Sequence, residues 1–413
     1  MFFKKVIYTS LIILLLLSIN VYSNDLTKYV WNSSSTLLGK PIQTNATINS
    51  EKTNSSSLNI KCESAILIES QTGQILYEKD SHKQLRPASV TKLMTILLVM
   101  EEIDNGSISY TDKVPCTETA AAMGGSQIWL DVREELTVDE MLKAICVVSA
   151  NDCTVAMAEF LSGSQEAFVE KMNLKAKELG MNDTCFKNCH GLDEDGHVTS
   201  CYDISIMSKE LLNKHPDIKK YTTIWMDSLR DGKSELVNTN KLIRNYKGAT
   251  GLKTGSTSQA LFNLSASATR DNLSLIAVVM KGPTSAIRFE DAQKLLDYGF
   301  SNYAYNEIAK SGDIVKNIRV EKGSKNSLNL IFENSIGIVS DKKGNKDIQQ
   351  IMSIPDFITA PVLQGDKIGE LSCLIDEKNA KTVNIIAQES IPKSTIENLV
   401  KKIYRNWFSL CRV

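Results

Sequence analysis

The sequence predicts an α/β (α+β) protein in two folded units, a sheet with helices packed on it followed by a small all-β domain. Three observations lead there. The stretch "SAILIES-QTG-QILYEKD" sets two alternating apolar runs on either side of Gly73, the pattern of a hairpin. Apolar residues then recur at helical spacing from Ser89 to Lys214, and strand-like runs return at "LFNLSASA" and "LSLIAVVM". Beyond Tyr303 the pattern changes to short β-type runs, "IVKNIRV", "SLNLIFE", "IGELSCLI" and "TVNIIAQE", separated by Gly, Asp, Asn and Lys turns.

Taken in order, residues 1–23 read as an export signal: Lys4 and Lys5, an apolar run from Val6 to Leu17, then Val21-Tyr22-Ser23 as a small-residue cleavage site. The run is short for a spanning helix, so an uncleaved anchor is the lesser alternative. Residues 24–60, rich in Asn, Ser and Thr, are expected to form a disordered linker. Residues 61–303 make the mixed unit and residues 304–390 the all-β, sandwich-like one. In residues 391–413, Ile396, Leu399, Val400, Ile403, Trp407 and Leu410 recur at helical spacing beside Lys401, Lys402, Arg405 and Arg412. Such an amphipathic helix either docks on the β domain or lies in a membrane interface with its basic residues on anionic headgroups; its terminal position favours the membrane.

With 413 residues, 42% of them hydrophobic, the chain is too long for one ordinary domain and can bury a sizeable core. Its 47 basic and 48 acidic residues leave a net charge of −1, so no global field draws it to nucleic acid and any anionic partner is met locally. Nine cysteines are an odd number, and a chain this long needs no staples; mostly buried free thiols are expected. Cys185, Cys189, His190, His197 and Cys201 include zinc-binding residue types, but their spacing matches no paired C-x-x-C pattern, which favours packing over a metal.

The chemistry is carried by short motifs. In "RPASVTKLMT", Ser89 and Lys92 stand three residues apart at the opening of an expected helix, which puts them on one face. Read chemically, Lys92 takes the proton of Ser89, which attacks a substrate; read structurally, the stretch is a capped surface helix. Ser340-Asp-Lys-Lys343 also fits S-x-x-K, but in a turn-rich segment, whereas Ser89 leads into the apolar "VTKLMTILLVM". A helix N-terminus would stabilise the developing alkoxide, and burial would lower the pKa of Lys92 enough to make it a base. Ser149-Ala150-Asn151 follows the apolar "MLKAICVV", and Lys253-Thr254-Gly255 precedes the strand at Leu261. S-x-N recurs at Ser18, Ser57 and Ser324 and says little alone; K-T-G occurs once. The order S-x-x-K, S-x-N, K-T-G within one unit is what points to a serine-nucleophile active site.

On these motifs and on "VVSANDCTVAMAE", "FVEKMNLKAKELGMNDTCF", "HGLDEDGHVTSCYD", "NTNKLIRNY", "GLKTGSTSQALFNLSASA", "LIAVVMKGPTSAIRFEDAQKLLDYGF" and "APVLQGDKIGEL", the sequence resembles the penicillin-binding proteins, most closely the low-molecular-weight D-alanyl-D-alanine carboxypeptidases. The resemblance implies a penicillin-binding/β-lactamase-like transpeptidase domain with an antiparallel sheet. It implies that Ser89 forms the acyl-enzyme with Lys92 as base, that Ser149 relays a proton to the leaving amine, and that Asn151 binds the substrate amide and helps hold Lys92. The backbone N–H groups of Ser89 and Ser256 would form the oxyanion hole; Lys253, Thr254 and Arg288 would hold the terminal carboxylate, with Gly255 in the same substrate strand. The implied substrate is a peptidoglycan stem peptide ending in D-Ala-D-Ala, with β-lactams as covalent inhibitors and no cofactor. The C-terminal helix would attach the exported enzyme to the outer face of the cytoplasmic membrane.

Departures from the family pattern are Leu261, where relatives commonly carry glycine, and Cys189 and Cys201, where Pro and Ala are frequent. Two other readings compete. A serine β-lactamase would need a glutamate-activated water; Glu178-Leu-Gly-Met-Asn182 matches E-x-x-x-N but reads as a helix end. A non-catalytic wall-binding or β-lactam-sensing protein would retain the pocket without needing Ser89.

Overall fold

The computed structural model describes residues 44–46, 58–342, 348–375, 379–397 and 400. The mixed unit is built on a five-stranded antiparallel sheet in the order Ile75–Lys79, Ser64–Glu69, Leu273–Gly282, Leu261–Arg270, Ala249–Thr257. The sheet is apolar on both faces because alternate residues feed different cores. Ile66, Ile68, Ile276, Val278 and Met280 join the core made with helices Lys92–Asp104 and Cys201–Lys214. Ala65, Leu67, Leu275, Ala277 and Val279 meet Phe289, Leu295 and Leu296 of helix Ser285–Asn302. Ser64–Glu69, whose alternation belongs to the hairpin pattern, is therefore buried at every position.

Local sequence signals set the helical side. Thr137 and Glu140 form a capping box that starts helix Val138–Val147. That helix breaks at Ser149, whose φ of +68° turns the chain, and helix Asn151–Ser162 begins two residues later. Ser164 and Ser200 cap helices Gln165–Glu178 and Cys201–Lys214 through their side-chain oxygens.

The C-terminal domain is all-β. A seven-stranded sheet runs Thr44–Ala46, Ile348–Ser353, Lys367–Ile375, Asn379–Ala387, Ser327–Phe332, Ile314–Glu321, Phe357–Thr359, beside a two-stranded pair of Tyr303–Ala309 with Ile336–Asp341. Two expectations change here. The segment 24–60, expected to lack structure throughout, contributes the edge strand Thr44–Ala46, paired antiparallel with Ile348–Gln350. At the other end, the anchoring segment does not begin at residue 391: Ile391 is fully buried in the β-domain core and bridges Val362, and Lys393 bridges Gly323. The first residues of that segment thus complete the β domain, and most of the expected helix, like the expected export signal, lies outside the described residues. No described helix is long and apolar enough to cross a membrane. All the cysteines among the described residues are free, and all but Cys185 are buried.

Candidate active site

Ser89 sits in a tight 3-10 turn, Ala88–Thr91, and the α-helix starts at Lys92 rather than at Ser89. The turn is clamped from three sides. Asn263, on the adjoining strand, donates from Nδ2 to the carbonyls of Arg86 (2.8 Å) and Pro87 (3.0 Å). Thr91 donates to the Ala88 carbonyl at 2.8 Å. On the third side the K-T-G strand passes so close that a Cβ at Gly255 would lie 2.9 Å from Pro87 O, Ser89 N and Val90 N, so only glycine fits. Ser89 itself remains partly exposed, open to a substrate.

Lys92 is fully buried. Its Nζ stands 2.6 Å from Asn151 Oδ1, 2.6 Å from the His190 carbonyl and 3.2 Å from Ser89 Oγ. Burial, reinforced by the charge of Lys253, pushes its pKa well below the ordinary lysine value. As a neutral amine, Lys92 keeps its two N–H groups on the two short carbonyl acceptors, and its lone pair is left facing the Ser89 hydroxyl. That is the geometry of a general base. Asn151 is held in turn by its Nδ2, which donates to the Gly124 carbonyl at 2.6 Å. Ser149, buried at the break between two helices, has an Oγ with no hydrogen-bond partner among the described residues.

Lys253 is buried on strand Ala249–Thr257, with Nζ donating to the Thr254 carbonyl at 3.0 Å. Burial lowers its pKa to about 7, with a further push from Arg288. The Thr254 hydroxyl meets that of Thr239 at 2.7 Å, while Ser256 is exposed opposite Phe262. Arg288 is brought to the same strand by helix Ser285–Asn302. It donates from Nη1 to the carbonyls of Gly255 (3.1 Å) and Asn263 (3.2 Å), and its Nε has no partner among the described residues.

The structure therefore gathers Ser89, Lys92 and Asn151 in direct contact, with the K-T-G strand against the serine turn and Arg288 bonded to that strand. Ser340, of the second S-x-x-K match, is buried in the β domain and accepts from Asn306 Nδ2. Glu178 is exposed at its helix end, paired with Lys175 at 2.8 Å. Of the Cys/His cluster, Cys189 and Cys201 are packed in the core, and the carbonyl of His190 holds Lys92. Residue patterns did not reveal Asn263, Thr239 or Asp152. The buried Asp152 carboxylate accepts from the backbone N–H groups of Ile128 (3.0 Å) and Leu130 (3.1 Å), pinning the segment that follows Gly124. Asp152 follows the S-x-N motif directly, which was its one available signal.

Comparison with known proteins agrees with this architecture. The family described as D-alanyl-D-alanine carboxypeptidase matches residues 50–284, and the penicillin-binding protein 5 C-terminal domain matches residues 303–393. The chain is 44% identical to D-alanyl-D-alanine carboxypeptidase DacF of Bacillus subtilis over 352 residues, 84% of this chain and 90% of that protein. Among solved structures, penicillin binding protein 5 from Haemophilus influenzae aligns with a TM-score of 0.68 at 30% identity, covering 82% of this chain and all of that one. Penicillin-Binding Protein D2 from Listeria monocytogenes, in its ampicillin-bound form, aligns with a TM-score of 0.54 at 30% identity over 59% of this chain and 99% of its own.

Proposed function

This chain belongs to the D-alanyl-D-alanine carboxypeptidase family, and from that premise we propose that it removes the terminal D-alanine of peptidoglycan stem pentapeptides through an acyl-enzyme on Ser89. The observation that carries the assignment of roles is the position of Lys92 Nζ, shared between Ser89 Oγ and the two carbonyl oxygens that orient it. Ser89 Oγ attacks the carbonyl of the penultimate D-alanine while its proton passes to Lys92. The peptide C–N bond breaks as a proton reaches the leaving amine by way of Ser149, and water then hydrolyses the ester, restoring Ser89. The oxyanion is received by the N–H groups of Ser89 and Ser256, which lie on the turn and the strand that Gly255 allows to meet. Lys253, Thr254 and Arg288 read the terminal carboxylate, which makes a free C-terminus a requirement.

β-Lactams acylate the same serine. The family works on the cell wall, outside the cytoplasm. Export by residues 1–23 and peripheral attachment to the membrane through the C-terminal helix belong to the same proposal. The residue pattern supports attachment, as does the exposure of Ile396 (81%) and Val400 (46%) among the described residues of that segment. Incubation with penicillin should add one acyl mass at Ser89, and the enzyme should release D-alanine from a pentapeptide. An unlabelled Ser89, or no D-alanine, would overturn the assignment.

A further inference from the structure

His197 lies in the segment that packs against the serine turn, and both of its ring nitrogens are engaged. Nδ1 accepts from the backbone N–H of Lys187 at 2.9 Å, which leaves the ring proton on Nε2. Nε2–H then donates to the Thr91 hydroxyl at 2.8 Å, and Thr91 donates to the carbonyl of Ala88 at 2.8 Å. The three hydrogen bonds run in one direction, from a backbone amide to a backbone carbonyl, and each side chain is left a single role. The carbonyl they reach belongs to a strained residue: Ala88 has a φ of +49°, a left-handed conformation that costs an L-residue about 1–2 kcal/mol. Ala88 immediately precedes Ser89. Gly191 closes on the same carbonyl, since a Cβ there would come within 2.0 Å of it.

We propose that His197 is a positioning residue for acyl transfer: acting through Thr91, it holds Ala88 in its left-handed conformation and so fixes where Ser89 stands relative to Lys92. Burial, with Arg86 and Lys187 nearby and Asp193 opposing them, keeps the imidazole neutral down to a pKa of about 4. The donor–acceptor order of the chain therefore persists across the neutral range. The inference rests on Ser89 being the nucleophile.

The test compares full-length wild type with His197→Ala, His197→Gln, Thr91→Val and the double variant His197→Ala/Thr91→Val. The rate of Ser89 acylation at saturating penicillin is measured by quenched mass spectrometry, non-covalent affinity is measured separately, and thermal unfolding is used to check the fold. Displacement of a nucleophile by about 1 Å costs up to roughly a hundredfold in rate. Each single removal should slow acylation on the order of tenfold or more with affinity little changed. The double variant should be no slower than the slower single, because both act along one path. Glutamine, whose amide N–H can reach Thr91, should recover most of the rate. Acylation of His197→Ala within about twofold of wild type, losses that multiply in the double variant, or glutamine no better than alanine would each overturn the proposal. Should His197→Ala not fold, His197→Gln and Thr91→Val decide between the same outcomes. A wild type that acquires no adduct on Ser89 would overturn the nucleophile assignment and this inference with it.

Discussion

Lys92 and Asn151 are joined by a 2.6 Å hydrogen bond between Nζ and Oδ1, so the lysine of the first motif is held by the amide of the second. Burial, reinforced by the charge of Lys253, lowers the pKa of the lysine so held.

Asn151→Asp places a carboxylate against Lys92 and should raise the lysine pKa again. A raised pKa keeps Lys92 protonated at pH 7, so β-lactam acylation should fall by roughly a hundredfold, the low end of what a general base supplies. The loss should shrink as pH rises and the lysine is deprotonated. A loss in Asn151→Asp independent of pH would show that Asn151 does not act through Lys92.

In the proposed mechanism Lys253 works in the opposite protonation state. With a free-enzyme pKa of about 7, it is cationic below that value and neutral above it, and only the cation attracts a carboxylate. The kcat/KM for a free-acid peptide should therefore decline as pH rises past about 7, by up to tenfold per pH unit once the proton must be taken up on binding. Lys253→Arg, always charged, should lack this alkaline limb. Identical alkaline limbs in the two enzymes would assign the decline to another group.

Arg288 bonds the K-T-G strand and is proposed to read the carboxylate, and one experiment separates the two. Its Nη1 bonds the carbonyls of Gly255 and Asn263, so Arg288→Ala should cost stability, about 1.5–3 kcal/mol for each charge-assisted hydrogen bond lost. If it also reads the carboxylate, turnover of a free-acid peptide should fall well beyond that of its C-terminal amide. Equal losses on both substrates would leave Arg288 only its supporting role.

Truncation should divide the C-terminal segment in two. A chain ending at Thr395 keeps Ile391 and the Gly323–Lys393 bridge and should fold, turn over soluble peptide and lose binding to anionic vesicles. A chain ending at Ser390 loses the fully buried Ile391 as well, and its β domain should be destabilised by about 2–5 kcal/mol, as for a deleted core aliphatic. Vesicle sedimentation and thermal unfolding of the two chains separate these effects; equal vesicle binding by full-length and Thr395-ended chains would dismiss the anchor.

Much of this protein is determined by its sequence alone, because much of it is local. The two-unit organisation follows from a change in apolar period at Tyr303. Helix caps are written locally at Thr137 and Ser200, and the motif order singles out the candidate reacting groups. What only the tertiary structure decided are contacts between residues distant in the chain. Lys92 meets Asn151 across 59 positions and the His190 carbonyl across 98, and His197 reaches Thr91 across 106. Asn263 holds the serine turn from a strand 176 positions beyond Pro87. No spacing rule encodes such pairs, since hydrogen bonding is short-ranged in space and indifferent to chain separation. The same reason hid Ile391: it opens the segment 391–413 in the sequence, while its side chain is buried in the β-domain core across the chain.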